Sequence, residues 1–317
     1  MTASLARPGE TDAAVGDLAG RTVLVTGGAG FVGGHIARTL AGDAEVRVLD
    51  DLSAGRRERV PDDATLVEGD VRDDDALAEA MADADVVFHE AAMVSVPRSV
   101  EAPTRCHDVN TGGTLAVLER AREADARVVL ASTTSVYGHP ETTPVAESHP
   151  CEPVSPYGVS KLAADRYARL YHELYGLPTV ALRYFNVYGP GQTGGQYSGV
   201  VTTFLEQARC GQPLTVHGDG EQTRDFVHID DVVRANLAAA TTDAVGEAFN
   251  VGTGTAVTVN QLAEHIRSAT GATSPIQHTD AREGDVRHSC AATERAEEHL
   301  GFEAEVPLSV GLRDLLG

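Results

Sequence analysis

Tyr157 and Lys161 stand four residues apart in Tyr157-Gly-Val-Ser-Lys161. On a helix this spacing puts a phenol and an ammonium on one face, one turn apart. Lys161 is also the only lysine among the 25 lysines and arginines of the 317-residue chain. A guanidinium is a planar fork of fixed charge, whereas an ammonium is a compact point charge whose pKa responds to its surroundings. An ammonium so placed can draw a neighbouring phenol toward the phenolate, the form that accepts a proton. A surface lysine beside a packed tyrosine is the alternative, and the pair alone does not choose between them.

A second group of residues is suited to phosphates. Thr22-Val-Leu-Val-Thr-Gly-Gly-Ala-Gly-Phe-Val-Gly33 runs from an apolar strand into a helix through Gly27, Gly30 and Gly33. Glycines at these places permit a tight turn, close approach of a pyrophosphate to the backbone, and close packing of helix on strand. The helix N-terminus then offers N–H groups and a positive dipole end. A tight strand–helix turn without a ligand is the bland alternative, but the strand–turn–helix context favours a dinucleotide. Asp50 closes the next apolar run about 20 residues on, where a carboxylate can accept from both ribose hydroxyls. It would repel a 2′-phosphate, which favours NAD over NADP, although Arg56 and Arg57 keep NADP in view. Asp51 suits a turn cap. Asp70 suits either an adenine-side contact or the cap of a helix over 74–82. Ala91 and Ala92 are small enough to let a cofactor cross the sheet edge.

The elements that must position these groups show in the hydrophobic pattern. From Arg21 to about Phe185, short apolar runs such as Val23-Leu24-Val25, Val46-Arg47-Val48-Leu49, Val86-Val87-Phe88 and Val128-Val129-Leu130 alternate with helix-length segments. That alternation predicts an α/β fold, a doubly wound parallel sheet of Rossmann type. After Asn186 the texture becomes Gly- and Pro-rich, which predicts a smaller α/β substrate lobe. The expected division is 19–186 plus about 226–254 for the nucleotide-binding domain, and 187–225 plus 255–317 for the lobe. Residues 1–18 read as a disordered leader. Segments 99–123 and 155–175 read as long helices.

Composition limits the partners. The net charge of −22 argues against nucleic acid and against anionic membrane surfaces. With arginine replacing nearly all lysine, it suggests an acidic surface adapted to high salt. The four cysteines form no CxxC pair, which argues against structural zinc and a disulfide framework, so no metal site is expected. No run of about 18 apolar residues and no secretory leader is seen, so a cytoplasmic location is expected.

Taken together in order, the motifs resemble the extended short-chain dehydrogenase/reductases, and within them the NAD-dependent epimerase/dehydratase group that includes nucleotide-sugar epimerases. The resemblance rests on Thr26-Gly-Gly-Ala-Gly-Phe-Val-Gly33, Gly69-Asp-Val-Arg-Asp73, His89-Glu-Ala-Ala92, Ser132-Thr-Thr-Ser-Val-Tyr-Gly138, Tyr157-Gly-Val-Ser-Lys161, Leu182-Arg-Tyr-Phe-Asn-Val-Tyr-Gly-Pro190, Gln222-Thr-Arg-Asp-Phe226 and Arg282-Glu-Gly-Asp-Val-Arg-His288. It covers about residues 21–316.

The resemblance implies a catalytic group of Tyr157 as base, Lys161 as the residue that lowers its pKa and holds the nicotinamide ribose, and Thr133 as partner of a sugar 4-hydroxyl. It implies an NAD site formed by Gly27, Gly30, Phe31, Val32, Gly33, Asp50, Asp51, Ser53, Gly55, Asp70, Val71, Ala91, Ala92, Val94, Asn110, Tyr157, Lys161 and Phe185. It implies nucleotide-sugar contacts at Thr133, Asn186, Val201, Thr215, Arg224, Arg282, Asp285 and Ser289. Two arginine forks suit two phosphates, so Arg224 and Arg282 are the expected diphosphate clamp; Arg287 reads instead as a surface ion pair.

The expected reaction is 4-epimerisation of a UDP-sugar through a 4-keto intermediate, with NAD as cofactor. Thr134 and Ser135 follow Thr133 where dehydratases and decarboxylases of this family carry an acid, which argues against those reactions. Small Ser289 leads to the expectation that N-acetylated UDP-sugars are accepted besides UDP-glucose and UDP-galactose. The runners-up are a uronate 4-epimerase or 4-keto-sugar reductase of the same family, and a non-catalytic NAD-binding scaffold. The resemblance also implies a homodimer through a four-helix interface built from segments 99–123 and 155–175.

Overall fold

The structure is a computed structural model that describes residues 8–192, 199–282 and 284–316. The chain opens with helix α1 (Pro8–Asp17) and enters strand β1 (Thr22–Thr26), helix α2 (Phe31–Leu40) and strand β2 (Glu45–Asp50). Strand β3 (Thr65–Glu68), helix α3 (Asp74–Met81) and strand β4 (Val86–His89) complete the first half of the sheet. Helices α4 (Val96–Glu101), α5 (Pro103–His107) and α6 (Gly113–Ala124) lead to strand β5 (Arg127–Thr133). Helix α7 (Pro156–Tyr175) crosses to strands β6 (Thr179–Tyr184) and β7 (Asn186–Tyr188). Then come helix α8 (Val200–Arg209), strands β8 (Leu214–His217), β9 (Thr223–Arg224) and β10 (Phe226–His228), and helix α9 (Ile229–Thr241). Strands β11 (Glu247–Val251) and β12 (Val257–Thr258), helix α10 (Val259–Thr270), strand β13 (Ile276–Thr279) and helices α11 (Glu294–Leu300) and α12 (Leu308–Asp314) end the chain.

Among the described residues, seven strands form one parallel sheet in the order β11-β6-β5-β4-β1-β2-β3. The order reverses on either side of β1 and β4. A ligand crevice opens at such a switch point, beyond the carboxyl ends of the strands. The central strands β1, β4, β5 and β6 are buried on both faces, as parallel strands covered by helices must be, whereas edge strand β3 is partly exposed. One apolar layer joins Val23, Ile36, Val129 and Leu182 to α9 and to Phe249. The other joins Leu24, Leu77, Leu118, Leu130 and Ala164. A third cluster, built from Phe204, Leu214, Val216, Leu262, Ile266 and Leu312, is the core of the smaller C-terminal part.

Three features differ from the sequence reading. The expected disordered leader contains α1, whose Ala14 and Val15 pack on the main core, and Leu18 is buried; residues 1–7 lie outside the described residues. The expected long helix over 99–123 is divided into α4, α5, a π-helical turn at Asp108–Gly112 and α6. Pro103 cannot donate an interior helix hydrogen bond and starts α5. The tail assigned wholly to the substrate lobe also divides. Ala296 of α11 and Phe302 pack into the core of the main sheet, whereas α12 packs with the C-terminal cluster.

Candidate active site at the carboxyl ends of the strands

The turn from β1 into α2 is fixed by close backbone approach. Gly27 has φ +68, and a Cβ there would lie 2.7 Å from the Ala91 nitrogen. A Cβ on Gly33 would lie 2.5 Å from the Gly27 carbonyl oxygen, and one on Gly30 2.8 Å from it. Only hydrogen fits at these points. Helix α2 begins at Gly30 with no side-chain cap and no acidic residue in its first turn. Its first N–H groups are therefore available for a diphosphate, and the cradle fits the pyrophosphate of NAD. Phe31 and Val32 form the first turn of α2 and pack against the core.

Asp50 is nearly enclosed at the end of β2. One carboxylate oxygen accepts from Ala29 N at 3.0 Å and the other from Leu52 N at 2.9 Å. Burial raises its carboxyl, and the two backbone donors oppose the shift. A Cβ on Gly55 would sit 2.7 Å from an Asp50 oxygen, so the loop folds directly over the carboxylate. Asp51 accepts from both the amide and the hydroxyl of Ser53, which is the turn cap that its position suggested. Asp70 is engaged by the Arg72 guanidinium and amide, which hold its carboxyl below the usual range. It does not cap α3; Asp73 does, accepting from Asp75 N and Ala76 N. Val71 is core, in contact range of Gly113.

The chemical end lies beside β4, β5 and α7. Thr133 ends β5; its hydroxyl donates to Ser135 Oγ at 3.3 Å, and it lies close enough to the Tyr157 phenol to lower it. Pro156 at the first position and Ser155, accepting from Gly158 N, start α7 so that Tyr157 and Lys161 face the sheet. Both side chains are buried. Asn110, in the π-helical turn, donates to Ser160 Oγ at 3.0 Å and to Met93 O, and accepts from Met93 N at 2.7 Å. It thereby ties the strand after β4 to α7. Ala91 N reaches Thr26 Oγ1, Ala92 continues the same crossing, and Val94 is exposed. Phe185 is buried with Val136, Tyr137 and Val145.

One electrostatic expectation is corrected. Lys161 was expected to lower the Tyr157 phenol. Burial instead pushes the phenol up to about 12, with Thr133 the group that lowers it and Glu90 and Cys106 raising it further. The ammonium is itself pushed down by burial, with Glu90 the first of the groups that oppose this. Desolvation is the largest influence on each group, and neither group is among the influences on the other.

The residues expected to meet the substrate fall into two sets. Ser289 is buried and its hydroxyl lies 3.4 Å from Thr134 Oγ1, which places it next to Thr133. Asn186 donates to Asp225 O at 3.1 Å. Arg224, on β9, bonds to Asp285 at 2.5 Å, and Asp285 N donates to Arg282 O within the loop that carries both. Arg282 contacts His217 Nε2 at 3.0 Å. Arg287 pairs with Asp219 through two bonds. Val201 packs in the C-terminal core and Thr215 bonds to Gln207; neither is joined to Tyr157 by a described contact.

The sequence reading passed over Glu90, Tyr184 and Asn236. Tyr184 at the end of β6 donates to Glu90 Oε1 at 2.8 Å and receives the Asn236 amide at 2.8 Å. The available signal was a carboxylate directly after the apolar strand Val86–His89.

Fold and site together define a dinucleotide-binding α/β protein with a threonine–tyrosine–lysine group at the sheet's switch point. The chain belongs to the NAD-dependent epimerase/dehydratase family, whose profile matches residues 23–252. It is 39% identical over 300 residues to the UDP-glucose 4-epimerase of Mycolicibacterium smegmatis, covering 91% of this chain and 95% of that one. It superposes on the Thermotoga maritima UDP-glucose 4-epimerase with UDP-glucose at a TM-score of 0.90, with 37% identity over 93% of this chain and 97% of the other. The UDP-N-acetylglucosamine 4-epimerase of Methanobrevibacter ruminantium in complex with UDP-N-acetylmuramic acid gives 0.91, with 34% identity over 94% and 97%.

Proposed function

We propose that this chain is an NAD-dependent UDP-sugar 4-epimerase. The observation that carries this reading is the Tyr157 phenol, buried on α7 one turn before the buried Lys161, with Thr133 close enough at the end of β5 to lower it. Thr133 positions the sugar 4-hydroxyl, and Tyr157 takes its proton while C4 is oxidised to the ketone. After the keto sugar turns over, Tyr157 returns the proton as C4 is reduced from the other face. NAD, when bound, supplies the hydride acceptor and gives the hydride back, so the reaction has no net redox change. Thr134 and Ser135 offer no carboxylate beside Thr133, which disfavours elimination from the ketone. Incubation of the protein with UDP-glucose and NAD⁺ is expected to yield UDP-galactose with no accumulation of NADH. Stoichiometric consumption of reduced cofactor would instead identify a reductase.

The small Ser289 beside Thr134 supports acceptance of N-acetylated UDP-sugars. Ser289→Tyr is expected to lower the activity ratio of N-acetylated to plain substrates; an unchanged ratio removes Ser289 from specificity. Arg224 and Arg282 are the diphosphate ligands in this reading, and the Asp285 contact holds Arg224 until substrate arrives. A homodimer through α7 and the α4–α6 segment fits the same surface. Val100, Val159 and Leu174 expose 64%, 54% and 59% of their area there, which is unusual for aliphatic side chains on so acidic a chain. A location in cytoplasm of high ionic strength agrees with the charge of −22.

A further inference from the structure

Asp225 stands between β9, which ends at Arg224, and β10, which begins at Phe226. It is fully buried. A carboxylate so enclosed is costly unless hydrogen bonds answer its charge. Four neutral donors do so. One oxygen accepts from Thr253 N at 2.8 Å and from the Thr253 hydroxyl at 2.7 Å. The other accepts from Gly254 N at 3.0 Å and from Ala291 N at 3.1 Å. The packing around the second oxygen is close: a Cβ on Gly252 would lie 2.7 Å from it. Burial raises the Asp225 carboxyl, and the same four donors oppose the shift.

The donors come from two separate stretches of chain. Thr253 and Gly254 follow β11, the edge strand of the main sheet. Ala291 belongs to the segment 285–292, which also carries Asp285 and Ser289. The main chain around Asp225 extends the same junction. Thr223 N donates to Arg287 O at 2.9 Å, and Ser289 N donates to Thr223 O at 3.2 Å. Asn186 donates to Asp225 O through its amide at 2.9 Å and through its side chain at 3.1 Å. Beyond Ser289 the segment is also tied to Val145, which donates to Cys290 O at 2.8 Å and accepts from Ala292 N at 3.0 Å. Arg224 therefore adjoins Asp225, Asn186 is bonded to it, and Ser289 lies two residues from its Ala291 bond.

We propose that Asp225 is a positioning residue for the nucleotide-sugar site: its carboxylate pins the segment 285–292 to the end of β11 and so fixes Ser289, Asn186 and Arg224 relative to the main sheet. The identity of the ligand rests on the epimerase reading, whereas the anchoring rests on the four bonds. Asparagine exposes the role of the second oxygen. It has nearly the shape of aspartate, but it offers one carbonyl oxygen and an NH₂ that only donates. The NH₂ must face either Thr253 N or the pair Gly254 N and Ala291 N. A backbone N–H cannot turn away, so donor meets donor on one side. Either way the junction loses one of its halves.

The test combines ligand binding, kinetics and hydrogen exchange. In Asp225→Asn, the Kd for UDP and the KM for UDP-glucose are expected to rise about tenfold, the scale of one unanswered buried donor. The affinity for NAD and kcat should change little, because Tyr157, Lys161 and the glycine turn make no described contact with Asp225. Amides of 287–292 should exchange faster in the variant than in the parent, while those of α7 keep the parent rate. UDP affinity equal to the parent's would overturn the proposal. So would a fall in kcat with KM unmoved, or weaker UDP binding with unchanged exchange over 287–292. If Asp225→Asn does not fold, the parent decides: without ligand, the Ala291 amide should be as protected as the amides of β11, and free exchange there overturns the anchoring. A parent that binds UDP yet is inert toward UDP-sugars leaves Asp225 its role and removes the epimerase reading; a parent that binds no UDP overturns both.

Discussion

At the scale of single residues, Tyr157 has to work against its own burial. A phenol pushed up to about 12 is protonated at neutral pH, so the base form depends on charge brought into the site by the bound cofactor. Tyr157→Phe removes the buried phenol that Thr133 acts on and is expected to lower kcat at least ~10²-fold, measured as UDP-galactose formed. Lys161→Arg keeps the charge but puts a larger fork into a buried position, and most turnover should be lost. His89 gives a second prediction, in stability. Its folded pKa of about 3 lies below the ordinary 6.5, so the unfolded chain binds the extra proton first as pH falls. Stability is therefore complete above pH 6.5 and declines toward pH 3, by an amount on the order of a few kcal/mol. Urea unfolding of the parent and of His89→Gln at several pH values should show a shallower acid decline in the variant.

At the scale of elements, two glycines with nearly the same backbone angle separate strain from crowding. Gly176 caps α7 at φ 73 with nothing within 4 Å of a built Cβ, whereas Gly27, at φ 68, faces the Ala91 backbone at 2.7 Å. Gly176→Ala should cost about 1 kcal/mol, the left-handed penalty alone. Gly27→Ala should cost more and also weaken NAD, since the turn must open; thermal unfolding with and without NAD separates the two effects. The β–α alternation, the glycine turn and α7 were legible because each has a local signal: apolar period, glycine spacing, or a Ser-Pro start and Gly stop. The division at Pro103 had a signal of its own, yet the π-helical turn after it did not, because it is held by Asn110 bonds to residues 17 and 50 positions away. The Glu90–Tyr184–Asn236 chain was hidden for the same reason, its members being 94 and 52 residues apart. The seat of α11 on the main sheet depends on β11, an edge that exists only once the sheet has formed.

At the scale of the whole molecule, charge sets the working conditions. A net charge of −22 repels itself in dilute buffer, and molar salt with a Debye length of about 3 Å screens that repulsion. The melting temperature is expected to rise steadily from low salt to molar KCl. A flat or falling response would mark the acidic surface as ordinary.

The strand order has a consequence for synthesis. One apolar layer of the sheet is covered by α2 over β1 and β2 and by α9 over β5 and β6, where Val129, Val180 and Leu182 lie, and is closed by β11, Ala296 and Phe302. When β6 has left the ribosome, more than a hundred residues remain to be translated before that cover is complete. At roughly 5–20 residues per second this leaves the β5–β6 part of that face bare for on the order of ten seconds. During that interval the nascent chain is a client for chaperones that hold apolar surface. Premature termination between β6 and α11 would release a product that aggregates rather than a smaller functional protein.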